Sequence, residues 1–265
     1  MLMSNSNIKH DTGRVPQAVL ALARKECQRF FRIWRQSLLP SVITSVLYFV
    51  IFGKVIGQYI SGWEGVSYIQ FIAPGLIMLA VITNSYTNSV SSFFGMRWSR
   101  QIEEILITGM PTWAIILGFV CGSVLRGLIV GILVTIVAAI FTGFHVSHVA
   151  MFIFDLLITS FLFAGAGLLN GIFADTMDDV SSFSTFILTP LIYLGGVFYD
   201  ILQLDSFWRY LSQFNPIYYI VHSFRYSILD IGQNKFSSMF ILIFITVIVY
   251  IILYVLVSRG YKIKN

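Results

Sequence analysis

The chain has 265 residues, of which 57% are hydrophobic and 11% are charged, and its mean hydropathy is +0.83. These values exclude an ordinary soluble globular domain, in which about 25% of the residues are charged. The long runs rich in leucine and isoleucine favour spanning helices over the roughly ten-residue alternating strands of an outer-membrane barrel. We therefore predict one all-α integral membrane domain, surrounded by lipid and without a nucleic-acid partner.

The segment before Leu38 is basic and has helical periodicity. Between Pro16 and Gln36, apolar residues recur on one face and cations gather largely opposite. The apolar set is Val19, Ala23, Cys27, Phe30 and Trp34, and the cationic set is Arg24, Lys25, Arg29, Arg32 and Arg35. The pattern predicts an amphipathic interface helix along the cytoplasmic leaflet, within a cytoplasmic arm at residues 1–37. A basic topology signal without a mechanical role is the alternative.

Six apolar segments approach the roughly 20 residues that a helix needs to cross the hydrocarbon core. They are Leu38–Ile60, Ile69–Val90, Trp113–Phe141, Val149–Phe173, Phe183–Tyr199 and Ser238–Val257. The fifth is the shortest and could begin earlier. An even number of spans places both termini on one side, and the cations of the arm and of the tail at residues 259–265 predict that this side is the cytoplasm. The predicted membrane domain covers residues 38–258.

A polar break separates the second and third segments, with the sequence GMRWSRQIEEILITGMPTW from Gly95 to Trp113. Its centre has helical character, and proline after the break suits the first turn of the next helix. The sequence therefore predicts a short cytoplasmic helix at about 96–109. Its charged side chains would offer a partner protein a directional polar surface, and they are Arg97, Arg100, Glu103 and Glu104. A solvated connector is the alternative.

Of the charged residues inside the predicted spans, Arg126 falls near the middle of the third and Asp155 is the acidic one, in the fourth. A charge at the bilayer centre costs about 2.5–3.5 kcal/mol unless it is paired or hydrated, so both should face protein or a wet cavity. At about 1.5 Å per residue they lie at different depths, and a direct pair would require tilt or a bridging water. Structural pairing and substrate contact are both compatible with the sequence. Asn84 and Asn88 could line a path or bond to neighbouring helices.

Two classes of catalytic site find no support in the sequence. The one Gly-Lys pair, Gly53-Lys54, is followed by valine and lacks the upstream glycine of a phosphate-binding loop. The chain is therefore not expected to hydrolyse ATP. His145 and His148 share a short loop without an H-E-x-x-H pattern, and no G-x-S-x-G elbow occurs, so neither a metal site nor a catalytic residue is predicted.

The stretch between the last two spans contains two apolar blocks of roughly a dozen residues, each too short to cross the membrane. Both have helical spacing, and Asn215-Pro216 separates them. A residue before proline avoids helical geometry and proline suits a helix start, so two half-helices are predicted. Because irregular backbone at membrane depth needs protein or a water-lined cavity beside it, we predict a re-entrant outer hairpin at about 202–229. Arg209, Arg225 and Lys235 would then lie outside, against the charge rule but outweighed by the basic arm.

Sequence blocks spread in order over nearly the whole chain carry a family resemblance. Among them are RFFRIWRQ at Arg29–Gln36, FIAPGLIMLAVITNSYTNSVSSFFG at Phe71–Gly95, RGLIVGILVT at Arg126–Thr135, AGLLNGIFADTMDD at Ala166–Asp179, PLIYLGGVFYD at Pro190–Asp200 and NPIYYIVHSFRYSIL at Asn215–Leu229. They resemble the ABC-2 family of transport permeases, the membrane subunits of ABC exporters, and in particular a bacterial inner-membrane branch.

This resemblance implies a six-helix half-transporter that pairs with a second copy of itself and binds two copies of a separate ATPase subunit. ATP and Mg²⁺ would be bound by that subunit, and no cofactor is expected in this chain. Gly95–Met110 becomes the coupling helix, and the loop with Asp175, Asp178 and Asp179 becomes a possible second ATPase contact. The hairpin around Pro216 would border the exit.

The implied function is outward movement of an amphipathic or lipid-like substrate by alternating access, from the bacterial inner membrane. Two alternatives differ from it in class. One is an ion-coupled secondary transporter or channel, for which Arg126 and Asp155 would form the relay. The other is a membrane scaffold without transport activity. The sequence does not name the substrate.

Overall fold

Every regular element in the described part of the chain is a helix. A computed structural model describes residues 15–57, 59, 65–231 and 235–262, apart from the side chains of residues 54, 235 and 236. Within these ranges the element order contains no β-strand, so the predicted all-α class is confirmed. Some of the cations on which the predicted orientation rests, at residues 9, 14 and 264, lie outside the described residues.

The helices follow in chain order with a few irregular turns between them. They are α1 Val15–Arg32, α2 Trp34–Val50 with a π-helical continuation Ile51–Ile56, α3 Tyr68–Trp98, α4 Gln101–Ile107, α5 Thr112–Thr142, α6 Val149–Phe173, α7 Met177–Phe183, a π-helical segment Ser184–Leu188, α8 Thr189–Leu194, a 3₁₀ turn Ile201–Gln203, α9 Ser206–Gln213, α10 Pro216–Leu229 and α11 Lys235–Ser258.

Five helices of the described chain are long and apolar enough to span a membrane. They are Trp34–Gly53, Tyr68–Trp98, Thr112–Thr142, Val149–Phe173 and Ser237–Ser258, and they coincide with the first four predicted segments and the last. Length and composition thus support a membrane-embedded, multi-pass protein. The fifth predicted segment, Phe183–Tyr199, falls in a helical run that begins earlier, at Met177, and ends at Leu194. Acidic and hydroxyl residues lower the hydropathy of that run. The count of six spans therefore stays a prediction.

Helix α3 forms the centre of the fold. It packs against α5 and α6 along much of its length, and α10 packs on it at one end. Two apolar clusters surround it. One joins α3 to α6 and α10, and the other joins the opposite end of α3 to α1, α4, α5 and α11. In contrast, few apolar side chains of α2 and α11 are buried.

Helix α1 runs along α5, so that successive turns of the two helices face each other. A Cβ added to Gly118 would lie 2.4 Å from Leu22 Cδ2, and one added to Gly122 would lie 2.7 Å from Glu26 Cβ. These two glycines therefore open the groove in which α1 sits. Phe30 belongs to the apolar face that a helix at the membrane interface would turn toward lipid, but it is fully buried within the described chain. The interfacial placement of the outward face of α1 stays a prediction.

Candidate functional site

Helix α4, the predicted cytoplasmic helix, is bounded by two residues with left-handed backbone. Arg100 has a φ of +59° and Gly109 a φ of +70°. Glycine adopts this conformation freely, whereas a bulky residue rarely does, so the turn at Arg100 is a specific feature. Ile102 is 2% exposed and packs in the apolar cluster that contains Leu22 and Phe119. Ile102 thus joins α4 to an apolar cluster shared with α1 and α5.

The opposite face of α4 has no partner within the described chain. Glu103 and Glu104 are exposed and make no side-chain hydrogen bond or ion pair with described residues, and the same holds for Arg100. Ile107 is 85% exposed, although it lies on the same short helix. A face with unpaired carboxylates and an exposed isoleucine suits contact with another protein.

Arg97 behaves differently from the other predicted coupling residues, because its guanidinium turns inward. It donates to the carbonyl oxygens of Ile172 and Ala174 at the end of α6, and it lies 3.9 Å from a carboxylate oxygen of Asp175. Lys262, just after α11, donates to both oxygens of the same carboxylate, at 2.9 Å and 2.7 Å. Arg97, Asp175 and Lys262 therefore join three inner chain segments to one another.

The two predicted ATPase-contact regions meet at one cavity of about 620 Å³. Its lining combines the end of α3, the start of α4, the loop after α6 and the end of α11, through Arg97, Trp98, Arg100, Ile102, Glu103, Asp175 and Lys262. The topology thus brings the coupling segment and the acidic loop together, although about 70 residues of helical hairpin separate them in sequence.

In the acidic loop, the three predicted residues have three different environments. Asp179 forms a capping box with Thr176, since its carboxylate accepts from the backbone N–H groups of Thr176 at 2.9 Å and Asp175 at 3.0 Å. These hydrogen bonds hold the pKa of Asp179 below its usual value, because they favour the ionised form. Asp175 is paired as described above. Asp178 is exposed and has no side-chain partner among the described residues.

A buried polar cluster joins α1 to α3 and α5. Glu26 of α1 is 1% exposed, and its carboxylate accepts from the Ser92 hydroxyl at 2.5 Å and lies 3.3 Å from Arg29 Nη2. Arg29 Nη2 also donates to the backbone and side-chain oxygens of Asn88, at 3.1 Å and 3.2 Å. Asn88 in turn donates to Ser123 of α5 at 3.0 Å. Asn88 therefore links three helices.

The predicted intramembrane charges have separate partners. Arg126 donates to Asn84 Oδ1 through Nε at 3.1 Å and Nη2 at 2.9 Å, and Asn84 donates to Ser41 of α2 at 2.9 Å. Asp155 is fully buried and accepts from Ser223 of α10 at 2.9 Å. Among the described residues, the two charges form no ion pair with each other.

At the Asn-Pro break, α9 ends at Gln213 and α10 begins at Pro216. Asn215 Oδ1 accepts from the backbone N–H of Ile217 at 3.0 Å, which caps α10. The other side-chain atom of Asn215, Nδ2, donates to the carbonyl oxygen of Leu191 at 2.6 Å. The one residue thus starts a helix and fixes it to α8.

Arg225, counted in the sequence as an outer cation, is 8% exposed. It donates to the carbonyl oxygens of Phe71 at 3.3 Å and Gly196 at 3.0 Å, and its guanidinium carbon lies 3.9 Å from the Phe71 ring centre. It therefore ties α10 to α3 and to the turn after α8. Carbonyl groups and an aromatic ring thus replace water around Arg225, which the sequence analysis counted only by its charge.

Of the two loop histidines, His148 has local partners. His148 Nε2 lies 3.1 Å from an Asp230 carboxylate oxygen, and the His148 ring stacks on Tyr226 with centroids 4.9 Å apart. In the described residues, no group of three or more His, Cys, Asp or Glu side chains could hold a metal ion.

Sequence comparison places these features in a family. The family model for "ABC-2 type transporter" matches residues 17–229. The inner membrane transport permease YadH of Escherichia coli strain K12 is 49% identical over 249 residues, which cover 94% of this chain and 97% of that protein.

More distant relatives include nodulation protein J of Rhizobium leguminosarum bv. viciae, 25% identical over 76% of this chain and 80% of that protein. Nodulation protein J of Sinorhizobium fredii is 24% identical over 77% of this chain and 79% of that protein. The resemblance of the sequence blocks is thus confirmed, and the chain belongs to the ABC-2 type transporter family of membrane transport permeases, which are not themselves enzymes and normally work with a separate ATPase subunit.

Proposed function

We propose that this chain is the permease subunit of an ABC exporter in the bacterial inner membrane, with both termini in the cytoplasm. It works as a pair of identical subunits and moves an amphipathic or lipid-like substrate outward by alternating access. The free energy comes from a separate ATPase subunit, which binds ATP and Mg²⁺. The similarity to YadH, named an inner membrane transport permease, supports the location and the class.

The observation that carries the proposal is the two-sided character of α4. One face of α4 is anchored to the rest of the chain by Ile102. The opposite face presents Glu103, Glu104 and Ile107, whose side chains have no partner among the described residues. Anchoring on one side makes a push on the other side move the spanning helices, because α4 lies between α3 and α5 in the chain. This is the arrangement that a coupling helix requires.

The contacts revise which residues meet the ATPase. Arg97 and Asp175 already bind within the chain, so we assign them to holding the inner loops together. Arg100, Glu103 and Glu104 remain as the primary contact, and Asp178 as a possible second one. The cavity beside α4 gives a partner side chain room to enter.

The remaining elements complete the proposed half-transporter. The helical run from Phe183 through α8 serves as the fifth of six spans, and α9 and α10 form the re-entrant outer hairpin around Asn215 and Pro216. Helix α1 serves as the interface helix of the cytoplasmic arm. The relay alternative has less support, because Arg126 and Asp155 have separate neutral partners.

The test uses the permease co-purified with its cognate ATPase subunit and reconstituted in lipid. Glu103→Lys with Glu104→Lys reverses both exposed charges, and we expect loss of the permease-dependent increase in ATP hydrolysis while insertion is retained. Asp205→Lys, an exposed charge reversal on the predicted outer side, is the matched control and should leave hydrolysis unchanged. Normal stimulation in the double variant would refute α4 as the coupling helix.

A further inference from the structure

The polar cluster around Asn84 and Asn88 carries more positive charge than its described residues neutralise. Arg29 is paired with Glu26 at 3.3 Å, whereas Arg126 has the neutral Asn84 as its described hydrogen-bond partner. Arg29 is also near enough to Arg126 for the two charges to repel each other. The guanidinium groups of Arg29 and Arg126 and the carboxylate of Glu26 therefore give this largely buried cluster a net charge of +1.

Such a charge is unfavourable without an anion. A guanidinium within a span costs about 2.5–3.5 kcal/mol on insertion scales, and a like charge nearby adds to this cost. Asp155, the acidic residue within a predicted span, is occupied elsewhere with Ser223. An anion that offsets Arg126 would therefore come from outside the described residues.

The position of the cluster indicates where that anion comes from. Ser41, which accepts from Asn84, lies six residues after Arg35 in α2, or about 9 Å along a helix. Trp34 and Arg35 are exposed residues of the types that mark the membrane interface. Measured along α2, the hydrogen bonds of Arg126 to Asn84 therefore lie about 9 Å from the level of Arg35, and an arginine side chain readily extends toward the headgroups.

The group is also accessible. The Arg29 side chain is 32% exposed, and Arg126 is intermediate in exposure. Exposed apolar residues occur on the same two helices, with Phe31 of α1 and Ile43 of α2 each 56% exposed, as expected of helix surface in contact with acyl chains. A ligand that enters here carries both an anionic group and hydrocarbon.

We propose that Arg126 and Arg29 bind the phosphate group of an anionic phospholipid, at the junction of α1 and α2 with α3 and α5. One phosphodiester charge matches the one uncompensated positive charge, and guanidinium groups bind phosphate oxygens with directional, charge-assisted hydrogen bonds. The site rests on charge and depth alone. It is independent of the ATPase contact and of the direction of transport, so the failure of either proposal leaves the other standing.

The experiment measures lipid binding to the purified permease by native mass spectrometry. Phosphatidylglycerol is compared with phosphatidylcholine of the same acyl chains and with inorganic phosphate. Arg126→Gln retains an amide that can donate to Asn84 but removes the charge, and we expect at least about a tenfold loss of phosphatidylglycerol affinity. Arg259→Gln removes an exposed charge just after α11, outside the polar cluster and the interface helix, and should leave affinity unchanged.

Two further variants keep the test decisive. Arg126→Lys retains the charge and should bind more tightly than Arg126→Gln, and Arg29→Gln should lose affinity even if Arg126→Gln does not fold. Equal binding of both lipids by the unaltered protein would overturn the proposal. So would an equal loss in Arg259→Gln, or displacement of the lipid by inorganic phosphate at the same concentration.

Discussion

Replacing Glu26 by alanine should loosen α1 from the spanning helices. The change removes a carboxylate that is 1% exposed and accepts a 2.5 Å hydrogen bond from Ser92. Breaking a buried ion pair costs about 3–5 kcal/mol, and the lower end applies here because Arg29 is one-third exposed and can be hydrated. We therefore expect the free energy of unfolding to fall by about 3 kcal/mol.

The assay is thermal unfolding of the detergent-purified protein, where 3 kcal/mol corresponds to a Tm lower by about 6–12 °C. Gln28→Ala, an exposed change on the same helix, should shift the free energy by less than about 0.5 kcal/mol. Ser92→Ala should cost about 1–3 kcal/mol. The double variant of Glu26 and Ser92 should cost less than the sum of the single ones, because both remove the same bond. Additive costs, or a Glu26→Ala Tm equal to that of Gln28→Ala, would refute the buried cluster.

The other stability predictions use the same assay. Arg225→Met should lower the free energy of unfolding by at least about 2 kcal/mol, since two carbonyl groups lose a charged donor; a Tm equal to that of the unaltered protein would contradict this. Gly75→Ala places a Cβ 2.5 Å from the Val197 carbonyl oxygen and should cost about 1–3 kcal/mol. Its control, Gly95→Ala, meets no atom within 4 Å and should be neutral or stabilise α3 by about 0.5–1 kcal/mol. A Gly75→Ala protein more stable than Gly95→Ala would show that the backbones are not in contact.

Local chemistry explains which parts of the fold were predictable. The apolar runs place the long helices, and a short polar segment ending at Gly109 places α4. At Asn215-Pro216, one residue avoids helical geometry and the next favours a helix start, so the end of α9 and the start of α10 follow from two residues. These signals are visible in the sequence because each depends on neighbours within a few positions.

The inward cations were not predictable, because their partners are distant in sequence. Arg97 binds a carbonyl 75 residues away, and Arg225 binds one 154 residues away. A charge count treats both as polar loop residues. Both side chains donate hydrogen bonds to main-chain carbonyl groups, at the end of α6 and in the turn after α8. Every residue has a main-chain carbonyl group, so the sequence does not indicate which ones will bind a cation.

Glu26 shows a signal that the sequence did contain. It is an acidic residue in a strongly basic segment, and it lies four residues from both Leu22 and Phe30, which share its face of the helix. An acid on the apolar face of an amphipathic helix requires a buried partner. Such a residue could have been singled out, although its partner Ser92 could not.

Helix α3 connects the proposed coupling surface to the outer hairpin. Its 31 residues span about 46 Å, and at its inner end it continues through Arg100 into α4 and bonds to α1 and α5 through Asn88. At its outer end the Phe71 carbonyl accepts from Arg225, and Gly75 lies against Val197. Pro74 falls between these contacts and cannot donate a helical hydrogen bond, so α3 is most easily bent beside the hairpin. A displacement of α4 would therefore shift α3 as a largely rigid helix. The bend would occur at Pro74, next to the segment proposed to border the exit.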